Sequence, residues 1–283
     1  MNVRVKAYAK LNLTLNITGS SGGFHNLDSI VCSVDLFDLI VLKKRKDKLI
    51  SVAMHGQDSE LIPFEENNAV KAAQLFIDAY GTNGADITVY KNIPMGLGAG
   101  GSSADSAGVL NGLAKLYGIN DTAGIKLLAD ETGSDTRYML SGGFARLTGR
   151  GNEVKKIESD LKLNFLLLAP KARVNTAQCY KTFDSLGEVG GNGDEAERAI
   201  ISGDKNLLAK KMNNALYPAA KSLSPEVENA FEELKEFDPL AVNMTGSGSG
   251  VYALFENAEY CAYANSRYRG KSKTYIVKSV IPK

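Results

Sequence analysis

Pro94-Met95-Gly96-Leu97-Gly98-Ala99-Gly100-Gly101-Ser102-Ser103-Ala104-Asp105 is the stretch on which the reading turns. Upstream, Asp86-Ile87-Thr88-Val89-Tyr90-Lys91 alternates with period two and reads as a strand, ended by Asn92 and Pro94. Downstream, small or apolar residues at Ala104, Ala107, Leu110, Leu113, Ala114 and Tyr117 mark one face of a helix over Ser103–Tyr117. Ser102 and Asp105 fit the S-x-x-D capping pattern at its start. Glycine lets the backbone take positive φ and approach a ligand closely. Exposed amides and the positive end of the helix dipole therefore converge where the loop ends, which makes an anion site whose usual occupant is phosphate.

Three loop classes compete for this pattern. Gly96-x-Gly98-x-x-Gly101 matches a dinucleotide fingerprint, but the proline turn before it spoils a tight strand-to-helix join. Gly96 and Gly101 also have Walker spacing, yet Ser102 stands where that motif needs lysine. The third class is a Gly/Ser loop whose catalytic charges come from elsewhere in the chain. A plain glycine-rich turn with no ligand is the bland alternative.

Working outward, Val3–Ala9 and Leu11–Ile17 alternate as half-buried strands, and Ser29–Lys43 reads as two strands or one bent strand. Helical spacing covers Asn68–Tyr80 and Thr122–Thr132. The character changes after Gly149-Arg150-Gly151-Asn152, and Phe165–Ala169 opens a second region as a buried strand. Gly187–Gly193 reads as a loop. Helices follow over Glu195–Ile201, Lys205–Leu216 and Pro225–Lys235, and strands over Val251–Phe255 and Thr274–Val280. Strands and helices in both halves point to an α+β protein.

Composition narrows the function. The 283 residues are 44% hydrophobic and 23% charged, which excludes a disordered chain. Lys+Arg 33 against Asp+Glu 32 lacks the basic excess of a nucleic-acid binder. No apolar run reaches the roughly 18 residues of a membrane span, and the N-terminus lacks the apolar core of a signal peptide. Cys32, Cys179 and Cys261 are scattered and odd in number, with only His25 and His55 beside them, so neither a zinc site nor a disulfide framework is expected. That usage points to the cytoplasm.

A triphosphate loop without its own lysine needs a cation and a base. Lys10, between apolar strand residues in Ala9-Lys10-Leu11-Asn12, is the candidate cation; its ordinary reading is a solvated strand face. Asp135, in Gly133-Ser134-Asp135, is the candidate base; its ordinary reading is a turn residue.

Three separated motifs together resemble the GHMP kinase superfamily. They are Ala9-Lys10-Leu11-Asn12-Leu13 followed by Gly23-Phe24-His25-Asn26-Leu27, then Pro94 to Ala107, then Met244-Thr245-Gly246-Ser247-Gly248-Ser249-Gly250-Val251. Gly133-Ser134-Asp135 and Gly142-Gly143 through Thr148-Gly149-Arg150-Gly151 lie between them. The resemblance implies a two-domain α+β fold: an N-terminal ATP-binding domain over 1–156, a C-terminal domain over 157–283, and an active site in the cleft between domains. It implies ATP-dependent phosphorylation of a hydroxyl on a cytidine-diphosphate-linked polyol, within non-mevalonate isoprenoid precursor synthesis. Mg2+ would travel with ATP, and neither nucleic acid nor membrane would be a partner. A kinase for another small alcohol and a non-catalytic nucleotide-binding relative are the alternatives.

Roles follow by position. Asp135 would take the hydroxyl proton, and Lys10 would lower the pKa of that base and steady the phosphoryl group. Pro94, Gly96, Leu97, Gly98, Ala99, Gly100, Gly101, Ser102 and Ser103 would hold ATP, with Asn68 and Lys71 near the adenine. Asn12 would meet substrate phosphates or hydroxyls, while Phe24, His25 and Tyr180 would meet the cytidine. Thr176 would flank the pocket, and Gly246 and Gly248 would cover the substrate. Two departures stand beside the chemistry. Relatives follow the aspartate with Val-Pro-aromatic, where this chain has Thr136-Arg137-Tyr138, so Arg137 is expected to pair with Asp135 or to hold phosphate. Asn26 stands where relatives carry glutamate. The divalent ion's ligands and the oligomeric state are not written in the sequence.

Overall fold

The computed structural model describes residues 2–56, 63–186 and 190–282. The chain begins with β1 (Asn2–Asn12), β2 (Thr14–Ser21), β3 (Phe24–Lys44), β4 (Ser51–His55), α1 (Asn68–Tyr80) and β5 (Ala85–Tyr90). It continues with α2 (Gly101–Tyr117), α3 (Thr122–Thr132), α4 (Thr136–Met139), β6 (Phe144–Gly149), β7 (Glu153–Ile157) and β8 (Asn164–Ala169). The remainder is α5 (Thr176–Leu186), α6 (Asp194–Ser202), α7 (Lys205–Lys211), β9 (Asn213–Asn214), α8 (Tyr217–Leu223) and α9 (Pro225–Lys235). β10 (Ala241–Met244), β11 (Val251–Phe255), α10 (Ala258–Arg267) and β12 (Lys273–Lys278) close it. This is a mixed α+β architecture. No described helix is long and apolar enough to cross a membrane.

Two compact units emerge. The first comprises Met1–Ala9, Leu36–Met95 and Gly100–Gly142. In it β5 pairs antiparallel with Leu39–Lys44 of β3 and parallel with β4. α2 lies directly on these strands, and Gly108 permits it: a Cβ there would sit 2.4 Å from Ile40 Cδ1. α1 buries Ala69, Ala72, Ala73, Phe76 and Ile77, and Asn67 caps it by accepting from the Ala69 amide at 2.9 Å.

The second unit comprises Lys10–Asp35, Gly96–Ala99 and Gly143–Lys283. Leu27–Cys32 of β3 pairs with β6, which turns back into β7. A separate four-stranded sheet has the order β10-β11-β8-β12, with every pair antiparallel. Leu166 and Leu168 of β8 pack with Phe183 of α5, Leu216 just before α8, and Val227 and Leu234 of α9 in one apolar core.

The helices over 68–80, 122–132 and 225–235 and the strand over 251–255 fall where the residue spacing puts them. β3 is one strand of 21 residues, the single-strand alternative for Ser29–Lys43. Two expectations need correction. The helix expected over Lys205–Leu216 stops at Lys211, because Asn213–Asn214 is drawn into parallel pairing with Thr14–Leu15. Ser102 and Asp105 form no cap: α2 starts at Gly101 after Gly100 with no side-chain cap, and Asp105 is buried in an ion pair. Of the expected loop over Gly187–Gly193, residues 187–189 lie outside the described residues, and Gly190 donates its amide to Ile17 O at 2.9 Å.

Candidate active site

In the second unit three of the sequence motifs converge. Lys10, near the end of β1, is 4% exposed, so the solvated-face reading fails. Its backbone N–H donates to Ala99 O at 3.0 Å, and its Nζ donates to Asn12 Oδ1. Asn12 is fixed in turn, with Oδ1 accepting from the Gly246 amide at 2.9 Å and Nδ2 donating to Ser29 Oγ at 2.8 Å. The loop segment 96–99 is sewn to the third motif: Ser249 N donates to Gly96 O (3.2 Å), Gly250 N to Leu97 O (3.1 Å) and Thr245 Oγ1 to Gly98 O (3.1 Å). Gly98 has φ +76°, and a Cβ there would lie 2.1 Å from Thr245 O, so the two backbones touch only because residue 98 has no side chain. Thr176, opening α5, reaches the same loop through a 2.8 Å contact between its hydroxyl and that of Ser247. Gly248 lies in this loop beside Met244 and Val174.

The residues expected at the cytidine end divide into two groups. His25 lies face to face with Tyr180, ring centroids 4.7 Å apart, with the Phe183 ring edge-on at 6.2 Å. Its Nε2 is 2.6 Å from Asp184 Oδ1. A carboxylate only accepts, so Nε2 carries the hydrogen. Phe24 is half exposed and sits under the Arg150 guanidinium, 3.4 Å from the ring centroid. Asn26 accepts at Oδ1 from Ser21 Oγ at 3.1 Å.

In the first unit, α2 presents its N-terminal turn. Gly100 has φ +72°, and among the described residues no side chain caps the first turn of α2, which leaves the amides of Gly101, Ser102 and Ser103 and the dipole end to an anion. Asn68 Nδ2 donates to Ser102 Oγ at 2.5 Å, and the Asn68 carbonyl accepts from Ser106 Oγ at 3.2 Å, which ties the start of α1 to this turn. The Lys71 ammonium donates to Glu131 O at the end of α3.

Asp135 stands at the N-cap position of α4, and its side chain does not cap that helix. The Arg137 guanidinium turns to the preceding helix. It grips Asp130 on α3, with Nε 2.6 Å from Oδ1 and Nη2 on Oδ2, and this pairing keeps the guanidinium charge raised in pKa. The Thr136 hydroxyl is fully buried without a hydrogen-bond partner among the described residues.

Beneath the loop lies a cluster with no counterpart in the sequence reading. Lys91 places its ammonium between Asp38 and Asp105, with Nζ 2.6 Å from Asp105 Oδ2. Burial works against the Lys91 charge, but the two carboxylates outweigh it and hold its pKa above the ordinary value. Burial also dominates at Asp105, and with the Asp38 charge it pushes that carboxyl up to about 8 against the pull of Lys91. Among the described residues Asp105 Oδ1 has no hydrogen-bond partner. Thr245, Asp130, Asp184 and Arg150 likewise went unassigned in the sequence, since each acts through a contact with a residue distant along the chain. Among the described residues no group of three His, Cys, Asp or Glu gathers to hold a metal ion.

Comparison with known proteins bears on what these groups do. Residues 67–144 match the family described as GHMP kinases N terminal domain, and 196–264 match GHMP kinases C terminal. The chain is 33% identical over 288 residues to a 4-diphosphocytidyl-2-C-methyl-D-erythritol kinase of Caldanaerobacter subterraneus, covering 100% of this chain and 98% of the relative. It is 36% identical over 265 residues to the kinase of that name from Desulfitobacterium hafniense, covering 91% and 88%. A crystal structure of 4-(cytidine 5'-diphospho)-2C-methyl-D-erythritol kinase superimposes with TM-score 0.81 at 25% identity, covering 98% of this chain and 99% of the other. Homoserine kinase from Cytophaga hutchinsonii shares the fold at TM-score 0.77 and 17% identity, covering 99% and 95%.

Proposed function

Because the chain belongs to the GHMP kinases, we propose that it transfers the γ-phosphoryl group of ATP to a hydroxyl of 4-diphosphocytidyl-2-C-methyl-D-erythritol. The observation that carries the reading is the convergence of Lys10, Asn12, Gly96–Ala99 and Gly246 into one hydrogen-bonded cluster, in a chain whose full length matches kinases of that name.

In this proposal the amides of the Gly96–Ser103 stretch, with Pro94 and Asn68 beside them, bind ATP. Lys10 neutralises the phosphoryl group in flight and Asp135 takes the proton of the acceptor hydroxyl. Phosphoryl transfer demands mainly alignment and charge neutralisation, which fixed amides and a buried ammonium supply. Asn12 and the Gly246–Gly248 turn orient the acceptor, Thr176 flanks it, and Phe24, His25 and Tyr180 take the cytidine. Base stacking on such rings is worth about 1–3 kcal/mol. Mg2+ enters with the nucleotide, where it would neutralise phosphate charge. The proposal retains a division at 156/157 between an ATP-binding N-terminal domain and a C-terminal domain. It places the enzyme in the cytoplasm, where three buried free thiols are at home.

ADP release tests it. With ATP and the cytidine substrate the chain should turn over, and with homoserine or mevalonate it should not. Turnover with another alcohol alone would replace the acceptor, and nucleotide binding without any turnover would reject the kinase reading.

A further inference from the structure

The turn carrying Asp135 lacks any ring to stiffen it. Gly133-Ser134-Asp135 links α3 to α4, and Gly133 is extended, with φ 173° and ψ 151°. Each flank of the turn is anchored separately. Before it, Lys71 of α1 holds the Glu131 carbonyl. After it, Tyr138 is fully buried and Asn111 of α2 donates to Leu140 O at 2.9 Å. Neither anchor fixes α3 relative to α4 across the turn itself. The turn itself is closed by one backbone bond, Thr136 N–H to Gly133 O at 3.0 Å, and Arg137 adds the side-chain tie: its guanidinium reaches back seven residues to Asp130 with two parallel bonds, Nε to Oδ1 and Nη2 to Oδ2. A planar fork meeting a carboxylate on both oxygens fixes orientation as well as distance, which a lysine at this position would not do.

We infer that Arg137, through Asp130, is a positioning residue for the Asp135 carboxylate. The clamp sits on a partly exposed surface, its two side chains 27% and 29% accessible, so it contributes little to global stability. Its effect is on geometry. Misplacing a reacting group by about 1 Å costs on the order of 100-fold in rate, so a modest loosening of the turn is visible in kcat long before it is visible in folding. The inference rests on Asp135 being the base.

The test is a double-mutant cycle read in kcat and KM, with nucleotide titration counting competent sites. Arg137→Met, which keeps the stem, should lower kcat about 10-fold and leave both KM values within about twofold. Asp130→Asn should do the same, and the two together should be no worse than either alone. Tm should fall by no more than about 3 °C in each. Arg137→Lys, which keeps charge without the fork, should recover only part of the rate. Single variants with wild-type kcat, or losses that multiply in the double, would overturn the clamp. Wild-type turnover by Asp135→Asn would overturn the base instead, whatever the Arg137 variants do.

Discussion

Replacing Asp105 by asparagine should stabilise the protein at alkaline pH and leave it unchanged in acid. Asp105 and Asp38 share one ammonium in a site where all three side chains are at most 6% exposed. Its carboxyl rises from 3.8 to about 8, burial being the largest cause. A raised carboxyl pKa means that the folded state holds the proton more tightly than the unfolded one. The associated stability is complete below about pH 4 and is lost as pH climbs through 8. Roughly four units at 1.36 kcal/mol each set a ceiling of ~6 kcal/mol. Asp105→Asn keeps the acceptor for Lys91 and removes the ionisation. The variant should therefore match wild type within ~1 kcal/mol at pH 5 and exceed it by about 2–3 kcal/mol at pH 8.5, part of the ceiling being relieved by local relaxation. Urea unfolding at pH 5, 6.5 and 8.5 reads both numbers. Parallel pH curves for the two proteins, or a variant weaker at pH 8.5, would refute the reasoning.

Other substitutions probe the remaining parts. Gly98→Ala puts a methyl 2.1 Å from Thr245 O at φ +76° and should cost at least ~2 kcal/mol and abolish nucleotide-induced thermal stabilisation. Gly81→Ala, at φ +63° with open space around it, should cost only about 1 kcal/mol and keep that stabilisation. Thr136→Val exchanges a buried unpartnered hydroxyl for a methyl and should raise stability by roughly 1 kcal/mol in calorimetry.

The parts of the fold legible in the sequence are those whose information is local. α1, α3 and α9 bury regularly spaced apolar residues, and Asn67 and Asp121 cap the first two through their own side chains. α5 was invisible because it buries only Cys179 and Phe183 behind a polar surface, yet it is the element that holds His25. The hairpin β6–β7 hides behind the glycines at Gly149 and Gly151. Asp105 misled for a different reason. Three residues after a serine it imitates a cap, while its true partner, Lys91, lies 14 residues back on the far side of the loop. The same limit hid the clamp. Beside Asp135 the Arg137 charge suggests a partner one turn away, but its fork fits Asp130 on the preceding helix. Lys10 shows the converse: its motif pointed to chemistry, and only its near-complete burial separates that from a solvated strand lysine.

The most direct measurement is single-turnover phosphoryl transfer from ATP to the cytidine substrate, wild type against Asp135→Asn, with ATP affinity determined in parallel. General-base catalysis is worth about 100- to 10,000-fold, so transfer should fall by at least ~100-fold while ATP affinity stays within about threefold. Equal transfer by the two proteins would contradict the assignment at its centre.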